Sequence, residues 1–386
     1  MKKSFDKHIN TEVIPLSSNE FNLEGFTTAL KEANSDHFFN DTSKVRAFEQ
    51  ALKNKLNTDK EIVCLSSGTA AIHLALLLAG VQKDDYVICQ SFTYVASINP
   101  VLYLGANPIF IDSHPETWNM DVDLLEEAIQ DLHQKGIHPK AMVAVNIYGM
   151  PSDMDRLTKI SKKYNIKLIE DSAESLGATY KKKNTGLEGD FGILSFNNNK
   201  ILSTGGGGGL ICENKEQKEK ALFYANQARE KELGYTHEVL GYNYRFSNIQ
   251  AILGLIQLDS LDANLAKRRE VNKFYQELFQ NIKGVKVFKE NSDSYQSNHW
   301  LTCVLIDEQI AGFSKRELQE RFTEEKVETR LLWKPMHMQP LFEESPYYDN
   351  NVSKELFEKG LCLPSGSNLS QKNKQRISQI VKGFLS

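Results

Sequence analysis

Three places in this chain hold residue types that could do chemistry together: Lys200, Asp171 and the turn from Ser66 to Ala71. Lys200 stands in LSFNNNKILSTGGGGG, where it leaves a strand-like run amid asparagines and precedes the consecutive glycines Gly205 to Gly209. A primary amine condenses with an aldehyde once burial or nearby cations free its lone pair. Glycines beside it permit close backbone approach, although a uniform glycine run also suits a flexible loop, and a lysine taken singly is ordinarily a solvated charge. Asp171, in IEDSAES, falls at the C-terminal end of an expected parallel strand, the edge where open α/β sheets bind ligands. A carboxylate there can keep a ring nitrogen protonated, or simply cap the next turn. In SSGTAA the amides of Gly68 and Thr69 would open a helix, where free N–H groups and the helix dipole attract phosphate. No Gly-Lys-Ser/Thr follows and the pattern is not GxGxxG, so by itself the segment also reads as a tight turn.

Positioning these groups requires a sheet with crossovers. From about residue 60 to 170, EIVCLSS, DYVICQ, NPIFIDS, AMVAVNIYG and KLIED alternate with helical stretches, which predicts an α/β fold with a mostly parallel sheet flanked by helices. The strands are apolar throughout, as a sheet covered on both faces requires. After Asp171 the glycine-bounded segments DFGILSF and GGGLICEN replace the alternation. From Ser247 a long charge-rich amphipathic helix runs through LDANLAKRREVNKFYQELF into strands at GVKVF and NHWLTCVLI and a helix from Ser314. This predicts a boundary near residue 250, with a large domain over 1–250 and a smaller α+β domain over 251–386.

Composition narrows the function classes. A formal net charge of -4, with Lys and Arg interspersed among Asp and Glu, argues against a nucleic-acid-coating protein. The longest apolar runs fall far short of the ~20 residues of a membrane span, and the opening MKKSFDKHINTEVIPL lacks the apolar core of a secretory signal, so the cytoplasm is expected. The five cysteines are scattered, with no CxxC and no histidine at metal spacing, which reads as buried thiols and no metal.

Taken together, SSGTAAIHLAL, QSFTYVASINPVLY, NIYG, IEDSAESLGATY, GDFGILSFNNNK and GYNYRFSNIQAILGLIQL resemble, in order and spacing, the DegT/DnrJ/EryC1/StrS sugar aminotransferases. The resemblance covers nearly the whole chain from Ile14 and implies a fold-type I enzyme dependent on pyridoxal 5′-phosphate (PLP). It implies that Lys200 forms the Schiff base and that Asp171 pairs with the pyridine nitrogen. It further implies Glu174 near the phenolic oxygen, Gly68, Thr69 and Ser195 on the phosphate, and Tyr94 stacked on the ring. Asn243, in GYNYR, matches a residue that reaches the phosphate of a neighbouring subunit, implying a homodimer with shared sites; Arg245 beside it could meet substrate or form an ion pair. Gly206 stands where many relatives carry glutamate, which leaves that glutamate's role unassigned here. Relatives that dehydrate replace the lysine by histidine; Lys200 argues against that chemistry.

The segment RLLWKPMHMQPLF resembles a subgroup acting on UDP-linked 4-keto-6-deoxy-N-acetylhexosamines for surface glycans. Trp333, Lys334 and His337 could there stack on, pair with and hydrogen-bond a nucleotide sugar, or be packed and solvated residues. The expected reaction transfers an amino group from glutamate to C4 of the sugar; GDP- or dTDP-linked sugars, an amino-acid aminotransferase or lyase on the same fold, and a non-catalytic regulatory binder of PLP or sugar are the alternatives.

Overall fold

The computed structural model describes residues 12–18, 22–32, 41–230 and 234–385; the leader-free reading of the first eleven residues lies outside them. Strands β1 (Glu61–Leu65), β2 (Tyr86–Gln90), β3 (Asn107–Ile111), β4 (Ala141–Val145) and β5 (Lys167–Asp171) lie in the stretch where alternation was expected, and β6 (Phe191–Ser195) and β7 (Gly208–Cys212) are the two glycine-bounded segments after it. They are followed by β8 (Val285–Val287), β9 (Thr302–Ile306), β10 (Arg330–Leu331), β11 (Tyr347–Tyr348) and β12 (Gly360–Leu363). The main sheet runs β1-β7-β6-β5-β4-β2-β3-β11. Its centre is parallel, and β7 is antiparallel to both neighbours.

Both faces of the sheet are covered, which is why its strands read as uninterrupted apolar runs. Val87, Cys89, Val143, Val145 and Ile169 join a core with helix α1 (Gly68–Leu78). Ile88, Met142, Ala144 and Leu168 turn the other way, onto Leu125 and Ile129 of the helix Val122–Gln134 and Leu157 and Ile160 of the helix Met154–Tyr164. The C-terminal part builds a second, antiparallel sheet in the order β8-β9-β12-β10, packed on its own core around Val304, Phe322, Leu361 and Ile377. Its chain also returns Tyr347 and Tyr348 to the edge of the main sheet, parallel to β3.

Two local expectations are corrected. The single long helix is two, α2 (Asn248–Asp259) and α3 (Leu261–Phe279), because Ser260 leaves helical geometry at φ −94°, ψ 0° with its hydroxyl on the Gln257 carbonyl. The strand expected at NHWLTCVLI starts only at Thr302. Asn298 accepts the Trp300 N–H on its own side-chain oxygen at 2.9 Å, and His299 adopts φ 47°, so the chain turns before it pairs. The helix expected from Ser314 is present as Lys315–Glu324, with Ser314 and Glu317 forming a capping box.

Candidate active site

The expected site residues gather at the C-terminal ends of the strands β1, β5 and β6 and on the turns that follow them. Ser67 caps α1, its hydroxyl accepting the Ala70 N–H at 3.0 Å. The cap leaves the first helical amides, those of Gly68 and Thr69, without intrahelical acceptors. Glycine is required here sterically: a Cβ on Gly208 would lie 2.4 Å from the Gly68 nitrogen, and one on Gly68 only 3.2 Å from the Ser195 Cβ. Gly207, at φ +111°, brings the strand back beneath the turn. The glycine run therefore packs a strand against a helix start instead of forming a flexible loop.

Asp171 ends β5 and is 2% exposed. The Ser97 hydroxyl donates to its Oδ2 at 2.7 Å and the Ala173 N–H to its Oδ1 at 3.1 Å. Burial pushes its carboxyl upward, opposed by the Ser97 hydroxyl, the Ala173 N–H and the charge of Lys200. Glu174 is held by the Tyr148 N–H at 2.7 Å. Burial raises it too, with Lys200 as the strongest opposing influence. Lys200 Nζ stands 3.6 Å from Glu174 Oε1 and 4.1 Å from the centre of the Trp300 ring.

One cavity of about 680 Å3 joins these groups: Gly68, Thr69, Tyr94, Asp171, Glu174, Ser195 and Lys200 all line it. Trp333 closes it, tilted against Tyr94 at 4.8 Å between ring centres, its backbone N–H donating to the Tyr148 hydroxyl at 2.8 Å. The remaining expected residues stand outside the lining. Lys334 is exposed. His337 Nδ1 is 2.7 Å from the Ser91 hydroxyl and its ring stacks on Tyr347 at 3.8 Å, so it is a packed histidine, with burial lowering its pKa. Asn243 and Arg245 are exposed on a segment bridged to Asn226 and Leu65, next to the start of α1.

The donor set fits PLP. A phosphate suits the amides at the α1 start and the Ser195 hydroxyl, a buried carboxylate at the strand end suits a pyridinium, and the Lys200 amine lines the same cavity. Ser97, Trp300 and Tyr148 escaped the sequence reading. Ser97 stood inside the quoted QSFTYVASINPVLY, but no local pattern pairs it with Asp171; Trp300 was read as part of a strand.

The DegT/DnrJ/EryC1/StrS aminotransferase family matches residues 22–382. The chain is 44% identical over 341 residues to EpsN of Bacillus subtilis (strain 168), named for pyridoxal phosphate-dependent aminotransfer, covering 87% of each chain. It is 34% identical to the GDP-perosamine synthase of Escherichia coli O157:H7, covering 87% of this chain and 90% of the other. It is 32% identical to the UDP-4-amino-4,6-dideoxy-N-acetyl-beta-L-altrosamine transaminase of Campylobacter jejuni serotype O:2, covering 82% and 81%. Among solved structures, the PLP form of the sugar aminotransferase Spr1654 of Streptococcus pneumoniae has the same fold, with a TM-score of 0.86 at 24% identity over 97% of this chain and 99% of that one.

Proposed function

Because the chain belongs to the DegT/DnrJ/EryC1/StrS aminotransferase family, we propose that Lys200 carries the reaction and that Asp171 tunes the cofactor. The protein is a PLP-dependent aminotransferase acting on nucleotide-linked sugars. The finer reading is transfer from glutamate to C4 of UDP-2-acetamido-2,6-dideoxy-hexos-4-ulose, by a cytoplasmic homodimer that supplies surface-glycan synthesis. The Campylobacter relative, a UDP-linked 4-amino sugar transaminase, supports it. A GDP-linked sugar is the second reading, favoured by the similarity to GDP-perosamine synthase. The division into 1–250 and 251–386 stands as part of the same proposal, the first holding PLP.

The observation that carries the proposal is convergence: Lys200, Asp171, Ser195 and the start of α1 line one cavity, and the aromatic rings of Tyr94, Trp300 and Trp333 line it with them. When bound, PLP supplies an electrophilic carbon and an electron sink. Lys200 Nζ gives up and takes back a proton as general base and acid. Asp171, kept apolar-shielded and hydrogen-bonded, holds a proton on the ring nitrogen. The amides of Gly68 and Thr69 with the Ser195 hydroxyl hold the phosphate, and Tyr94 lies flat against the ring. Glu174 meets the phenolic oxygen. Asn243 reaches the partner's phosphate, with Arg245 beside it. Trp333 stacks on the nucleotide sugar from the cavity wall. Lys334 and His337, which lie outside the lining, have only the resemblance in their favour.

The test is spectroscopic. The purified protein is expected to show a visible band that glutamate bleaches and a 4-keto sugar nucleotide restores, across a panel of UDP-, GDP- and dTDP-linked 4-keto-6-deoxy sugars. Lys200→Ala is expected to stay folded, lose the lysine-linked band and lose turnover; a variant transaminating at the wild-type rate refutes the assignment.

A further inference from the structure

Trp300 has no part in the assignments of lysine, carboxylate and phosphate ligands, yet the structure builds an unusual amount of support around it. Its ring is 1% exposed and its face lies 4.1 Å from Lys200 Nζ. The indole N–H donates at 2.8 Å to the carbonyl of Asn199, the residue immediately before the lysine. The backbone of Trp300 is held from both sides: its N–H donates to Asn298 Oδ1 at 2.9 Å, and its carbonyl accepts from Arg268 Nη1 at 2.7 Å. Arg268 is fully buried and also donates to the Ser365 carbonyl at 3.0 Å and the Ser17 hydroxyl at 3.1 Å. Asn298 in turn donates to the carbonyls of Glu174 and Leu176 at 2.9 and 3.0 Å. Gly149, at φ +93°, lets it approach, since a Cβ there would lie 1.8 Å from Asn298 Oδ1. One short loop thus carries the ring facing Lys200, the clamp on the lysine's own loop, and the clamp behind Glu174.

We propose that Trp300 is a positioning residue for Lys200. Its face and the Glu174 carboxylate, 3.6 Å from Nζ, stabilise the positive charge that the free amine acquires as it takes a proton and keep that ammonium in place until it returns the proton, and the indole N–H fixes the backbone on which the lysine stands. The proposal deepens the reading of Lys200 as the reactive amine and rests on it. A lysine that must both take and return a proton has to stay within reach of the reacting carbon, not leave for water. The charge of Lys200 acts on both Glu174 and Asp171. A carboxylate alone can accept the ammonium proton; an aromatic face attracts the cation through its quadrupole without taking a proton, and does so most strongly when desolvated. The ring also blocks one side of Nζ, which limits the directions in which the amine can swing. An aliphatic side chain of similar size would fill the space and supply none of this attraction.

The experiment uses the cofactor-loaded enzyme carrying Trp300→Leu, Trp300→Phe, or a multiply fluorinated tryptophan installed at position 300 through a reassigned codon. The fluorinated ring keeps shape and N–H while losing its negative face. All three are expected to load PLP with the wild-type visible band. The leucine and fluorinated proteins are expected to exchange the α-hydrogen of glutamate with deuterated solvent about tenfold more slowly, with KM nearly unchanged and a larger isotope effect on α-deuterated glutamate. The phenylalanine protein, which keeps a face, is expected closer to wild type. The fluorinated protein decides the matter even where Trp300→Leu fails to fold: exchange and isotope effect within about twofold of wild type overturn the proposal. A wild type inert to glutamate is assayed with whichever amino acid bleaches its band. Failure of the underlying reading looks different, since Lys200→Ala would then keep the wild-type band and exchange rate.

Discussion

At the scale of single residues, the carboxylate of Asp171 depends on a hydroxyl that its own sequence neighbourhood does not supply. Ser97 donates to Asp171 Oδ2 across 74 residues of chain and is itself 3.1 Å from the Thr93 hydroxyl. A hydrogen bond to a charged group contributes about 1.5–3 kcal/mol, and this one favours the ionised carboxylate that a pyridinium needs. Ser97→Ala is therefore expected to lower kcat by roughly tenfold while leaving KM and cofactor stoichiometry near wild type. Because the lost bond lowers the Asp171 pKa, its removal raises that pKa, and the acidic limb of the kcat profile is expected to move to higher pH. Steady-state rates across pH check both outcomes; an unmoved limb would detach Ser97 from Asp171 function.

At the scale of elements, the loop Ser297–Trp300 is held by a pair that carries its own pH signature. Glu290 accepts the Ser297 N–H at 2.8 Å and lies 3.2 Å from His299 Nε2. Burial pushes the Glu290 carboxyl up, but the bond and charge of His299 together with backbone N–H groups outweigh it and bring it down to about 2. A carboxyl whose folded pKa is depressed stabilises the fold above its unfolded value, near ~4.3, and loses that contribution as pH falls toward the folded value. Glu290 is partly open to solvent, which screens the pair, so Glu290→Gln is expected to cost about 1 kcal/mol at neutral pH and progressively less below pH ~4, read by denaturant unfolding at both pH values. The same loop explains one misreading. NHWLTCVLI has the composition of a strand throughout, but the Asn298 side chain, by accepting the Trp300 N–H, turns the first residues and delays the strand to Thr302. The split between α2 and α3 was hidden for a related reason, since Ser260 interrupts an otherwise continuous amphipathic pattern at a single residue.

At the scale of the whole molecule, the proposed second subunit makes exposed apolar residues near the GYNYR segment worth testing. Tyr235, Val239 and Leu240 are 82%, 47% and 76% exposed just before the GYNYR segment, and Tyr103 is 56% exposed beside His73, whose ring also meets Tyr242 and Tyr244. The double substitution Tyr235→Asp and Leu240→Asp is expected to shift the protein to monomer in sedimentation and to weaken PLP retention. If Asn243 serves the neighbour's site, mixing Lys200→Ala with Asn243→Ala chains and allowing exchange is expected to restore about a quarter of wild-type activity, since half the dimers are mixed and each has one intact site of two. Subunit exchange without recovery would mean that each chain completes its own site.

What the sequence determined by itself was chemical identity and local order: a lysine after a strand, a carboxylate at a strand end, small residues opening a helix, and buried strands alternating with helices. These are short-range statements, legible because propensity and periodicity are local. The tertiary structure decided which of these groups share a cavity. It brought Lys200, Asp171 and Ser195 together with Tyr94 and Trp333, turned His337 onto Tyr347, and set Trp300 against a lysine loop 101 residues away from it. Such pairings follow from the path of the chain between sheets and from the close packing of Gly208 and Gly149 against their neighbours. No periodicity encodes them, because the contact partners are set by how whole elements stack and not by the residues that separate them.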